Sequence, residues 1–330
     1  MKTNLTSGLA AKMTDNQHPL SAWLLLGLLS LIWGSSFLLI KKGLIAFGPM
    51  EVGALRISSA GIVLAPFIAK RLNKITRKHW LKLASVGLVG SFIPAFMFAI
   101  AQTQLASGVT GVLNALTPIT TLVIGALFFH QSARIAQVIG IIIGLGGTLL
   151  LITASANGGW NFNLYALLVM AATVCYGLNL KLIKHKITDL APLTITGISL
   201  LMAAVPATIY LFAGTDFMTQ VQQPGAMLSL VSILVLGIIG TAGALVIFNH
   251  VVRLTNTVFT SSVTYLIPVV AVLLGVLDGE PFWLQHGVGM AAILVGVWFA
   301  NRKGRSGLAG MPAQDKSNNS STKKSAYRVG

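Results

Sequence analysis

From residue 20 to residue 300 the chain alternates long apolar runs with short polar links. Ten runs are long enough to cross a bilayer as helices, which takes about 17–25 residues. They are 20–40, 49–69, 81–101, 107–129, 135–153, 163–183, 191–213, 228–250, 257–277 and 284–300. The links are short, which predicts a single compact bundle with no soluble domain between spans. "LLIKKG" follows the first run where a secretory signal would show a small-residue cleavage site, so that run reads as a retained helix. After Asn301 the pattern gives way to "KSNNSSTKKSAYRVG", a tail too polar to bury a core of its own.

Composition agrees with an integral membrane protein. The chain is 55% hydrophobic and only 9% charged, where soluble proteins average about 25% charged residues. Lys and Arg outnumber acids 23 to 7, an imbalance that raises the question of nucleic acid. These basic residues sit in short runs between apolar stretches and in the last thirty residues, so nucleic acid is excluded as a partner. They report topology instead, because cytoplasmic loops retain Lys and Arg. With a cytoplasmic N-terminus, 20 of the 23 lie inside, Lys41 and Lys42 lie outside, and Arg56 falls within a span. Both termini are therefore expected in the cytoplasm. The single cysteine, Cys175, allows no intrachain disulfide and no cysteine metal cage. It reads as a small buried hydrophobe, and no metal or cofactor is expected.

The apolar pattern is duplicated. At a spacing of 150, Gly87, Gly90, Phe98, Thr110, Leu116, Pro118, Val138 and Gly146 recur as Gly237, Gly240, Phe248, Thr260, Leu266, Pro268, Val288 and Gly296. Upstream the spacing is 143, and Gly34, Leu39, Ile40, Lys41 and Pro49 recur as Gly177, Leu182, Ile183, Lys184 and Pro192. Each unit holds five runs, an odd number, so the second copy enters the membrane upside down. The expected fold is all-α and integral to the membrane, ten transmembrane helices arranged as two inverted five-helix repeats. Residues 1–19 form a cytoplasmic segment, 20–153 and 163–300 the two repeats, and 301–330 a disordered basic cytoplasmic tail. Inverted repeats typify secondary transporters, whose substrate site lies at the repeat interface and opens to alternate sides.

Two stretches, "LIWGSSFLLIKKGLIAFGPMEVGALRI" and "YLIPVVAVLLGVLDGEPFWLQHGVGMAAILVGVWFA", resemble the two halves of an EamA-type transporter of the drug/metabolite transporter superfamily. The resemblance covers residues from about 20 to 300 and rests on the order and spacing of its motifs. These are Trp-Gly in the first helix, Pro then Arg in the second, the mid-helix prolines, and "GE" before a Gly-rich last helix. "FFHQSA" departs from the pattern by placing His130 where the second half has Glu280. The resemblance implies a ten-helix carrier of the inner (plasma) membrane, an exporter or facilitator of amino acids or related small metabolites.

Residues at mid-span supply the candidate substrate cavity: Trp33, Arg56, Phe98, Asn114, Tyr176, Asn179, Phe248, Asn249 and Tyr265. Arg56 is the deepest full charge, and intramembrane charges face the bundle interior. Two roles are open to it, receiving a substrate carboxylate bidentately or bonding helix-end carbonyls. Glu51, five positions away, is about 140° around the helix and does not pair with it. Glu280 reads as structural. Trp33 and Tyr176 lie away from the interfacial belt where such rings usually anchor, and they either pack the core or contact substrate. Pro118 and Pro268 mark helix kinks that free the carbonyls of Asn114 and Thr264. "GIIIG" at Gly140 and Gly144 has the small-residue spacing of close helix packing, within a monomer or across a homodimer.

A membrane enzyme would need clustered acids, histidines or a metal site, whereas the six histidines are scattered and no two are four apart. A channel would show a charged ring. Neither pattern is present, nor is a P-loop, so the expected partners are a small-molecule substrate and the lipid bilayer. No acid lies in the middle third of a span, which predicts downhill facilitation or exchange with no proton coupling.

Overall fold

The computed structural model describes residues 19–129, 134–153, 163–255, 259–260 and 262–301. The N-terminal segment, His130 and the basic tail lie outside the described residues. Every regular element among the described residues is helical. In chain order the main helices are α1 (Leu20–Gly43), α2 (Pro49–Ala69), α3 (Arg77–Ala101), α4 (Ser107–Phe129), α5 (Ile135–Thr153), α6 (Tyr165–Lys186), α7 (Pro192–Ala213), α8 (Ala226–Leu254), α9 (Val263–Leu277) and α10 (Leu284–Asn301). Seven of them, α1–α4 and α6–α8, are long and apolar enough to cross a membrane; the apolar stretches Ile135–Leu151, Val263–Leu277 and Leu284–Ala300 are shorter. Leu127, Ile142, Leu149, Ile209 and Leu273 point outward from the bundle, an apolar belt suited to lipid.

Local chemistry sets several helix ends. Pro49 and Pro192 open α2 and α7 in the first turn, where a missing N–H costs nothing. Thr76 and His79 form a reciprocal cap at the start of α3. The end of α9 is a Schellman turn: Gly279 takes φ +85°, Glu280 N–H donates to the Gly275 carbonyl at 2.9 Å, and Gly279 N–H donates to Val276 at 3.0 Å. The turn sends Glu280 back toward the start of α4.

Three helices depart from the uninterrupted runs expected. α4 is two segments, Ser107–Asn114 and Thr117–Phe129, parted at Ala115 and Leu116. Pro118 cannot bond the Asn114 carbonyl and disfavours helical geometry in the residue before it. It sits instead in the opening turn of the second segment, and the Thr117 hydroxyl donates to the Asn114 carbonyl at 2.8 Å. Pro268, by contrast, lies inside a continuous α9. α3 and α8 contain π-helical turns, Leu88–Phe92 and Leu236–Gly243, at overlapping positions of the 150-residue repeat.

Packing depends on close approach through small residues. α2 and α7 run antiparallel, with Gly61 against Ala204 and Gly197 against Ile68. α5 and α10 do likewise, Gly140 meeting the Gly296 carbonyl and Gly147 the Gly289 carbonyl. The "GIIIG" glycines therefore pack within the chain, Gly144 against Ile119. α1 packs against α9 and α8, while α6 packs against α4 and α3.

Candidate functional site

The centre of the bundle holds a partly open cavity of about 530 Å³. α1 contributes one helical stripe, Trp33, Ser36, Phe37 and Ile40, at spacings that share a face. Tyr176 and Leu180 come from α6, Arg56 from α2, Phe98 from α3 and Phe248 from α8. The broken α4 supplies Asn114, Thr117 and Pro118, and α9 supplies Val263, Thr264 and Ile267.

Most of these residues correspond across the duplication. Trp33 and Phe37 align with Tyr176 and Leu180 at 143, and Phe98, Asn114 and Thr117 align with Phe248, Thr264 and Ile267 at 150. The ring contacts correspond as well. Trp33 meets Phe248 with centroids 5.6 Å apart, and Tyr176 stacks on Phe98 at 6.1 Å. Glycines hold the same helices at matching points: Gly87 lies against the Ser199 carbonyl, and Gly237 against the Arg56 carbonyl and Ser59. Arg56 and Ser199 are themselves 143 apart, so the guanidinium has a buried serine as its counterpart and breaks the symmetry.

Arg56 is the only formal charge among the described lining residues. Its Nε donates to Thr241 Oγ1 at 3.2 Å. Thr241 in turn donates to the Leu236 carbonyl, five residues back in the π turn, at 3.1 Å. Trp33 Nε1 donates to the Gly240 carbonyl of the same turn at 3.2 Å. π turns leave backbone groups free of the ordinary ladder; here the Gly240 carbonyl accepts from Trp33, and the Leu236 carbonyl accepts from the Thr241 hydroxyl that holds Arg56.

Six of the nine residues expected in the cavity line it, together with Pro118. The other three have different surroundings. Asn179 packs against Gly90 of the α3 π turn, Asn249 Nδ2 donates to the Leu245 carbonyl of its own helix at 2.8 Å, and the Tyr265 hydroxyl donates to the Val297 carbonyl at 3.1 Å. Pro268 lies beside Ile267 but outside the lining. Ser36, Phe37 and Leu180 were not singled out in the sequence, although a helical step from Trp33 and its repeat partner reaches them. Thr241 carried no comparable signal.

Polar closure lies beyond the cavity, at the end of the bundle that holds Lys41. Glu280 accepts from the backbone N–H groups of Ser107 at 2.8 Å and Gly108 at 3.0 Å and pairs with Lys41 at 2.9 Å. Lys41 also pairs with Asp278 at 2.9 Å, and Lys42 pairs with the same carboxylate. Burial opposes the charge on Glu280, but the Gly108 and Ser107 amides and Lys41 outweigh it and hold the carboxyl below its usual range. At the opposite end His79 Nε2 lies 2.9 Å from Asp189, and Phe129 stacks on His185 with centroids 4.7 Å apart. Among the described residues no three of His, Cys, Asp and Glu gather into a metal-sized cluster.

Comparison with known proteins adds a family to this geometry. The profile of the EamA-like transporter family matches residues 20–153 and again 163–302. A protein of Escherichia coli K12 named "Uncharacterized inner membrane transporter YedA" is 28% identical, the match covering 81% of this chain and 87% of the relative. An "Uncharacterized transporter" of Archaeoglobus fulgidus is 26% identical over 85% of this chain and 99% of its own length. A "Probable amino-acid metabolite efflux pump" of Salmonella typhimurium is 25% identical over 82% of this chain and 91% of its own.

Proposed function

The chain belongs to the EamA-like transporter family, and from that premise we propose that it is a secondary carrier of small organic metabolites working by alternating access. It crosses the inner membrane ten times as two inverted five-helix repeats, with both termini in the cytoplasm. The substrate sits in the central cavity, and Trp33, Arg56, Phe98, Asn114, Tyr176 and Phe248 contact it. The observation that carries this reading is the correspondence of the cavity walls, Trp33 with Phe248 on one side and Tyr176 with Phe98 on the other. A site shared by two related halves can exchange one access path for the other by the same rocking motion run in reverse. The helix neighbours favour the same reading. Exchanging the halves turns the packing of α1 on α9 and α8 into that of α6 on α4 and α3. The Salmonella typhimurium relative's name supports export of amino-acid metabolites as the direction and substrate group to try first.

The test is a metabolite screen of cells overproducing the protein, followed by flux of each hit in liposomes holding the purified chain. A carrier gives saturable flux that speeds up when substrate is present on the far side. Non-saturable flux points to a channel, and chemical conversion of the hit to an enzyme; either result defeats the proposal.

A further inference from the structure

Resting on the carrier reading, we propose that the cavity selects organic monoanions, a single carboxylate on a compact apolar body, and does not require an ammonium group. Arg56 Nε is bonded to Thr241 Oγ1 at 3.2 Å, the only hydrogen bond of the guanidinium among the described residues. That leaves the two terminal nitrogens, the pair whose geometry matches a carboxylate. Among the described residues no carboxylate lines the cavity, and no ion pair includes Arg56. An uncompensated cation in an apolar enclosure is costly, and a ligand that brings one negative charge removes the cost.

The same arithmetic limits the ligand to one charge. A dianion would carry an unmatched charge between the aromatic walls, and a cation would be repelled by Arg56. The ammonium of a zwitterion would find no acid among the described lining residues, only neutral oxygens such as those of Asn114 and Thr117, so no ion pair rewards it. The Trp33–Phe248 and Tyr176–Phe98 pairs suit a flat or branched apolar body, and about 530 Å³ leaves room for one of that size.

Four probes with one body and different charges test this: 3-phenylpropanoate, phenylalanine, 3-phenylpropylamine and 3-phenylpropan-1-ol. Binding to the full-length protein in nanodiscs is measured by titration and by thermal stabilisation. The anion is expected to bind roughly tenfold or more tightly than the amine or the alcohol, and at least as tightly as phenylalanine. Arg56→Gln should erase the preference for anion over alcohol, and Arg56→Lys should retain part of it. The wild-type ranking needs no variant, so a misfolded Arg56→Gln protein does not remove the test. The proposal is overturned if the amine or alcohol matches the anion, if phenylalanine binds much more tightly, or if no probe binds at about 10 mM, a concentration weak even by the standard of millimolar sites. Liposome flux separates the two readings. Anion binding without flux sinks the carrier and leaves the selectivity, whereas amine flux without anion flux sinks the selectivity and leaves the carrier.

Discussion

Glu280 and Lys41 lie 2.9 Å apart and join the end of α1 to the turn after α9, while the same carboxylate caps the first turn of α4. Three helices that line the cavity are thereby tied at one end of the bundle, the end proposed as extracellular. The repeat positions at the other end are different: Lys184 stands for Lys41, Phe128 for Asp278, and His130, outside the described residues, for Glu280. The tie is ionic on one side only. Glu280→Gln should therefore loosen that end, at a cost of about 1–3 kcal/mol for charge-assisted bonds lost in a largely buried setting. Because the Glu280 carboxyl is held below its ordinary 4.5, its contribution is complete above that value and is lost as pH falls through the lower, folded-state value. Cysteine placed at Ile40 on a Cys175→Ala background should become more reactive to an external thiol reagent in Glu280→Gln at neutral pH, and acidification should lower the thermal midpoint of the parent more than that of Glu280→Gln. Equal labelling with and without the substitution would refute the tie.

Gly61 and Ala204 face each other where α2 crosses α7, and they are repeat equivalents, 143 apart. A Cβ added at Gly61 would run into the Ala204 methyl group. Gly61→Ala should cost about 1–3 kcal/mol through overpacking. The reciprocal pair, Gly61→Ala with Ala204→Gly, restores the methyl count at the crossing and should recover most of the loss. Thermal unfolding in detergent reads both variants. A double variant no more stable than Gly61→Ala would show that the crossing is not set by these two residues.

The distribution of basic residues predicts which loops are translocated. A reporter fused after residue 75, in a link rich in Lys and Arg, should stay in the cytoplasm, and one fused after residue 222 should be exported. The opposite labelling pattern would remove the proposed orientation and with it the assignment of the Glu280 end to the outside.

The sequence marks a residue's place along its helix better than its rotation about the helix. Trp33, Phe98, Tyr176 and Phe248 were found because mid-span placement coincided with recurrence at fixed spacing. Asn249 and Tyr265 adjoin the lining residues Phe248 and Thr264 in the chain, yet one bonds its own helix and the other turns toward α10. Apolar spans carry no polar stripe to mark the inward face, since lipid and bundle interior are similarly apolar. The prolines were legible, but whether each kinks or divides its helix was not. Pro118 sits where Thr117 can satisfy the freed carbonyl and the helix divides, while Pro268 stays within a continuous helix. The π turns were not legible at all. They lie where Gly87 and Gly237 let α3 and α8 press against the Ser199 and Arg56 carbonyls, contacts between segments that are remote in sequence.

Energy coupling follows from what each step does with the charge on Arg56. With a monoanion bound, the occluded cavity is neutral; empty, it encloses an unpaired guanidinium with no lining carboxylate to offset it. Burying a lone cation costs several kcal/mol, so the empty carrier should reorient far more slowly than the loaded one. Exchange is then fast and net flux slow, a difference of roughly tenfold or more, since each 1.4 kcal/mol of extra barrier is a factor of ten. Among the described lining residues there is no carboxylate or imidazole to carry a proton in its stead. Glu51 is buried near the start of α2 with Gln220 Nε2 at 3.4 Å, and Glu280 is held by Lys41 and the α4 amides. Liposomes preloaded with the substrate anion should take up labelled anion rapidly, and empty liposomes should take it up slowly. An imposed pH gradient should add nothing beyond its effect on protein-free liposomes. Arg56→Gln should bring exchange and net flux closer together, because the empty cavity no longer encloses a charge. Uphill accumulation driven by the pH gradient and abolished by Glu51→Gln or Glu280→Gln would replace exchange with proton coupling.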